Sequence, residues 1–245
     1  MCRPLFRLSA FALLAALAAI PAQAQQRTVT YVEEWVEVGQ SATRFLVPPA
    51  EQAEHQAIAA YGPFRVLDEH TAALVGVTDG RTPAQFAAML RDYPELARLD
   101  MIECAGTADD RSNLRLGRMI RAAGLATRVP DGGSVRSGGV ELFLAGARRE
   151  IDDGAEFAVH AWEDEDGKQA ADYPASAPEN AKYLAYYREM GMSAEQARAF
   201  YAMTNSVPFE QARWLGAAEM RHWIRQDGSR ATPKLAYLDL PLALN

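Results

Sequence analysis

Cysteine is nearly absent. The 245 residues contain two, Cys2 and Cys104, and no CxxC or paired Cys/His spacing accompanies them, so disulfide scaffolds and structural zinc are excluded. Cys104 ends the apolar stretch 99–104 and reads as a small buried hydrophobe. An excess of positive charge is also lacking: 25 Lys and Arg face 32 Asp and Glu, a formal net charge of −7, which removes a nucleic-acid backbone as the main partner. No hydrophobic run reaches the ~20 residues of a membrane span. The Gly132–Gly133 pair has no following Gly-Lys-Ser/Thr, so it is no phosphate loop. Asp109–Asp110 and the acidic run 163–166 lack calcium-loop ligand spacing. No cofactor and no metal is called for, and there is no internal repeat or low-complexity tract.

What remains is a globular composition, 49% hydrophobic and 23% charged, enough for one domain of about 200 residues. Arg3 and Arg7 flank the apolar run 8–20, and Ala22-Gln23-Ala24 follows Pro21. Basic end, short apolar core and A-x-A site together read as a secretory signal over 1–24, cleaved before Gln25. That predicts a periplasmic or secreted protein. The remainder has 23 basic and 32 acidic residues, a net charge of −9. Residues 25–60 read as a leader, with a strand pattern over 29–38, and 61–245 as an α/β domain.

Within that domain, strands are expected over 64–67, 72–77, 96–103, 125–129 and 156–162, and helices from Thr82 to about Asp92 and over 113–123. Thr82 reads as an N-cap with Gln85 closing a capping box, and Pro94 ends that helix. Residues 130–136 read as a glycine-rich loop, and 137–145 as a buried helix or a strand, with Gly146 just beyond it favouring the helix. Helices over 179–190, from Ser193 to about Met203 and over 217–224 form a helical tail.

A serine opening a buried helix after a glycine-rich loop places a hydroxyl beside exposed backbone N–H groups and the positive helix end. Ser137 occupies that position, with Gly138 and Gly139 after it. A hydroxyl becomes a nucleophile only with a base, and the resulting oxyanion needs donors. Of four histidines, His55 lies in a polar stretch, His70 in a turn and His222 in the last helix. His160 lies in an apolar segment, either as a core histidine with its own partner or as the base. Ser134 is a fallback nucleophile, although the G-x-S-x-G elbow is missing. Tyr183, Tyr186, Tyr187, Phe200 and Tyr201 form a stripe read as packing.

The segment from Ser137 to Gly146, then Arg148-Arg149 and Ala155 to His160, resembles the serine and histidine blocks of Clp-protease-like members of the ClpP/crotonase superfamily, exported bacterial proteins in particular. The separation is 23 residues. Residues 99–104 resemble the strand before the family's oxyanion loop and 114–124 the helix after it; the likeness spans about 64–219. It implies a spiral of repeated β-β-α units with a helical C-terminal segment. It also implies Ser137 as nucleophile, His160 as general base, and backbone N–H groups of Gly138 and of the Gly106–Thr107 loop as oxyanion hole. The family's Ser-Pro-Gly-Gly loop reads Ala105-Gly106-Thr107-Ala108 here. Trp214-Leu215 resembles the landmark after the triad aspartate, but 205–210 contains no aspartate, which leaves Glu210 or Asn205 for the third place. The resemblance further implies a peptide or a small ester or amide as substrate and a homo-oligomer of three or more chains. The alternative is a binding or scaffolding protein that has kept the fold and lost the chemistry.

Overall fold

The computed structural model describes residues 49–224. The expected signal over 1–24 and the strand over 29–38 lie outside the described residues. Helix α1 (Pro49–Gln56) comes first, then β1 (Ala59–Tyr61), β2 (Phe64–Val66) and β3 (Thr71–Thr78) as an antiparallel meander. The boundary expected at 61 therefore falls within a strand, and Ala53 of α1 is buried with Ala73 and Ile102.

From β3 the chain becomes parallel. Helix α2 (Thr82–Asp92) leads to β4 (Arg98–Thr107), which runs beside β3, and α3 (Asp110–Ala122) follows. Pro83 sits in the first turn of α2, but the cap differs from expectation: Arg81 is the N-cap residue and Thr82 lies inside the helix. Asp79 does the capping, accepting from the Thr82 amide at 3.1 Å and its hydroxyl at 3.0 Å. The Ala84 and Gln85 amides, which Thr82 was expected to serve, donate instead to the Arg81 carbonyl at 3.0 and 3.2 Å, while the Thr82 hydroxyl is engaged by Asp79. Helix α3 starts three residues earlier than expected because Asp109 accepts from Ser112 N at 3.0 Å.

Strand β4 pairs with two strands along one edge. Residues 98–100 pair with β5 (Ala126–Val129), and residues 103–104 pair with β6 (Ser134–Arg136), which lies in the stretch expected to be loop. Helix α4 (Gly138–Leu144) follows. The next two strands repeat the division: β7 (Arg149–Ile151) joins β5, and β8 (Glu156–Val159) joins β6. The repeated two-strand units around α4 realise the expected β-β-α spiral. Helices α5 (Pro178–Glu189) and α6 (Ala194–Thr204) come next, then β9 (Arg213–Gly216), antiparallel to β8, and α7 (Ala217–Trp223). Neither β7 nor β9 is legible as a strand from periodicity, because three or four residues are too few to show it.

Every residue of α4 is buried, as an apolar helix enclosed on all sides must be. Phe143 meets Phe157 of β8 with ring centroids 5.2 Å apart. Gly139 lets the helix approach β4, since a Cβ there would lie 2.9 Å from Cys104 Cβ. The Cys104 thiol is buried as expected, and burial raises its pKa. The expected capping box of α6 is present: Ser193 Oγ accepts from Gln196 N at 3.1 Å, and Ser193 N donates to Gln196 Oε1 at 2.9 Å. Ser193→Ala is expected to cost about 1 kcal/mol, measurable as a lower urea midpoint with an unchanged m-value.

Candidate active site

Three parallel strands, β4, β6 and β8, lie side by side and end together. The register pairs Cys104 with Val135 and Arg136 with Ala158. One or two residues onward, Gly106 lies in the last stretch of pairing of β4, and Ser137 and His160 leave the carboxyl ends of β6 and β8, neighbouring strands being about 4.8 Å apart. That end of a parallel sheet is where α/β proteins place ligands. The Ser137 amide donates to Ala158 O at 2.9 Å, which ties the serine to the strand that delivers the histidine. Because β8 ends at Val159, His160 is the first residue beyond the strand.

Ser137 links β6 to α4 with φ 49° and ψ −127°, the one non-glycine residue at positive φ among the described residues. Such a conformation costs about 1–3 kcal/mol and persists where surrounding structure imposes it. Here the constraints are the β6–β8 pairing on one side and the helix on the other. Gly106, at φ 114°, is the close neighbour: a Cβ there would sit 3.2 Å from Ser137 Cβ. Gly138 is equally confined, with a Cβ position 2.6 Å from Thr107 Cγ2 and 3.0 Å from Asn113 Nδ2. Asn113 Nδ2 donates to Gly138 O at 2.7 Å and its Oδ1 accepts from Thr78 at 3.0 Å, fixing the start of α4. As first residues of a helix, Gly138 and Gly139 have amides without an intrahelical acceptor.

Ser137, Gly138, His160 and Asn205 line one cavity. Thr107, Ser137 and His160 also line a wider outer cavity of about 580 Å³. The structure thus brings together Ser137, His160, Asn205, Gly138, Gly106 and Thr107. It does not bring in Glu210, which is exposed in the turn after Phe209, lines neither cavity and makes no hydrogen bond or ion pair with His160 among the described residues. Pro208 and the turn hold that segment at the surface. Ser134 is also outside: its hydroxyl accepts from Arg136 at 3.0 Å, within β6.

His160 Nδ1 lies 2.8 Å from Ala161 O. A carbonyl can only accept, so Nδ1 carries the proton and Nε2 presents its lone pair. The ring packs edge-on against Phe209 with centroids 4.9 Å apart. Among the described residues no hydrogen bond joins Ser137 Oγ to His160. Asn205 Nδ2 donates to Tyr201 O at 2.8 Å and to Thr204 Oγ1 at 3.2 Å, while its buried Oδ1 has no partner.

The sequence reading missed Glu141, one helical turn beyond Ser137. It is buried, accepts from Tyr187 OH at 2.7 Å and lines the same cavity. Burial pushes its carboxyl up to about 7, against the lowering effect of the Tyr187 hydrogen bond. The available signal was an acid inside an otherwise apolar helix. Tyr183, Tyr187 and Tyr201 wall the cavity, so much of the stripe read as packing belongs to the site. Tyr183 OH donates to Asp110, and both desolvation and Asp110 raise the Tyr183 pKa. Among the described residues no cluster of His, Cys, Asp and Glu could hold a metal ion, and no helix is long and apolar enough to cross a membrane.

No family model and no curated protein matches the chain. Among solved structures it is similar to a point mutant of ClpP1 from Listeria monocytogenes, at 16% identity and TM-score 0.46, covering 64% of this chain and 88% of that one. It is also similar to the 1510-N membrane-bound stomatin-specific protease. A lysine-to-alanine mutant of that protease with a substrate peptide gives 15% identity and TM-score 0.42 over 64% and 74% of the two chains. A serine-to-alanine mutant gives 15% and 0.44 over 63% and 75%. These neighbours are of the ClpP-like kind that the serine and histidine blocks resemble. At such scores they add nothing about chemistry, and the α/β fold stands on the strand order described above.

Proposed function

We propose that the chain is an exported serine hydrolase, peptidase- or esterase-like, working through an acyl-enzyme on Ser137. The observation that carries this reading is the convergence of a conformationally strained serine and a histidine at the ends of adjacent parallel strands, around one cavity. Ser137 Oγ would attack the substrate carbonyl carbon while its proton passes to His160 Nε2. The oxyanion would be held by the Gly138 amide and one from the Gly106–Thr107 turn. Collapse breaks the carbonyl–nitrogen or carbonyl–oxygen bond, and the proton moves from His160 to the leaving group. Water, deprotonated by the same nitrogen, then releases the acid and restores the serine. Export rests on the pattern of the first 24 residues.

The Ala161 carbonyl sets the tautomer that a triad carboxylate would otherwise set. Asn205 is then a secondary support, its unpartnered Oδ1 within the same cavity. Asn205→Ala is accordingly expected to lower kcat about tenfold, well below the roughly 10⁴-fold loss on disabling a triad aspartate, with KM unchanged. A fluorophosphonate probe tests the central reading: the folded wild-type chain should be labelled on Ser137 between about pH 6 and 9. A folded chain that is not labelled at any pH in that range would leave the binding or scaffolding protein as the correct reading.

A further inference from the structure

Beside Ser137 lies a small slot of about 40 Å³. That is room for about three water-sized groups, a volume that suits a slender side chain. Its acidic lining is Asp110 and Glu141, and no Lys or Arg lines it. Glu141 lies four residues after Ser137 and lines the same cavity, a rise of about 6 Å along α4, a distance that a four-carbon stem spans. The aromatic wall already receives an ammonium: Lys182 Nζ lies 4.9 Å from the Tyr183 ring centroid and 5.5 Å from that of Trp162, a cation–π arrangement. The outer cavity is lined by Asp109, Asp110, Glu163, Asp164 and Glu165 against Arg111 and Lys182, so the approach is negative and draws cations.

We propose that this slot is a specificity pocket for an unbranched side chain ending in a primary ammonium, held by Glu141 and Asp110 against the tyrosine walls. The proposal rests on the acyl-enzyme reading of Ser137 and names the residue on the acyl side of the bond that is cut: one of the lysine class. Asp110 from α3, Tyr183, Tyr186 and Tyr187 from α5, Tyr201 from α6, and His160 beyond β8 are the titratable groups around Glu141. Because burial places the Glu141 carboxyl near neutrality, at about 7, the preference for an ammonium strengthens as pH rises through that value.

The test uses the full chain carrying Ser137→Ala, so that ligand is not consumed. Binding of Nα-acetyl-lysine methylamide is compared with that of the norleucine analogue by calorimetry at about pH 8, above the range in which a raised carboxyl titrates. Lysine is expected to bind at least about tenfold more tightly, the worth of one charge-assisted hydrogen bond. Adding Glu141→Gln, which still accepts from Tyr187, should bring the two ligands within about twofold; adding Asp110→Asn instead should give a partial loss. Equal affinity, or no measurable binding of either ligand, overturns the pocket. Labelling of the wild-type chain separates the two readings. A labelled chain without lysine preference remains a hydrolase with a different pocket. A lysine preference in an unlabelled chain keeps the slot and removes the chemistry.

Discussion

Ser137→Ala abolishes fluorophosphonate labelling and lowers hydrolysis of any ester or amide the wild-type chain turns over by on the order of 10⁴-fold or more; this is the expected result if the proposed function is right. The variant removes one atom from a residue whose backbone is set by its neighbours, and the Oγ takes part in no hydrogen bond among the described residues. Alanine at φ 49° is no more strained than serine, so the thermal midpoint should stay where it was. His160→Ala should cost a comparable factor. Because the two side chains act as a unit, the double variant should be little worse than either single one. Turnover by Ser137→Ala at the wild-type rate would place the nucleophile elsewhere or exclude one altogether.

The second large effect concerns pH and stability. Burial raises the folded-state pKa of Glu141 from 4.5 to about 7, so between those values the folded chain holds a proton that the unfolded chain has released. Stability is then fully present below about pH 4.5, falls as pH rises toward 7 and is level above it. The total amounts to about 3 kcal/mol. Asp100 shifts in the same direction, also through burial. Glu141→Gln removes only the Glu141 part while keeping an acceptor for Tyr187. Urea unfolding on either side of the interval, at about pH 4.5 and about pH 8, should therefore show the variant losing about 3 kcal/mol less than the wild type. Identical losses would mean that the carboxyl is not held in a desolvated place.

The serine block was legible because its signals are local: glycines, a serine and an apolar run mark a helix start wherever it lies in space. The same holds for α2, α5 and α6, where proline or a capping pair marks the first turn. Strands β6, β7 and β9 were not legible, since their three or four residues are strands only through the partners they meet. The Thr82 cap was misassigned because Asp79 engages the Thr82 amide and hydroxyl through a turn that the helical pattern does not reveal. At the site, Ser137, His160 and Asn205 came from residue type and resemblance. Glu141 did not, because an acid one turn inside a helix looks like a solvated position until the surrounding sheet and α5 enclose it. Glu210 had the right chemistry and the wrong neighbourhood: sequence order placed it near the third triad position, while the turn at Phe209 leaves it at the surface.

The division of β4 between β5 and β6 bears on how the site comes into being. Gly106, Ser137 and His160 arrive on segments well separated along the chain, each divided from the next by a strand that belongs to the other branch. Neither branch can be completed before the other has begun, so the pairing that creates the cavity depends on closing long loops, a feature that slows folding. Any shortened chain that stops before β8 lacks the edge on which the imidazole rides, and the cavity should therefore be completed late, together with the whole sheet.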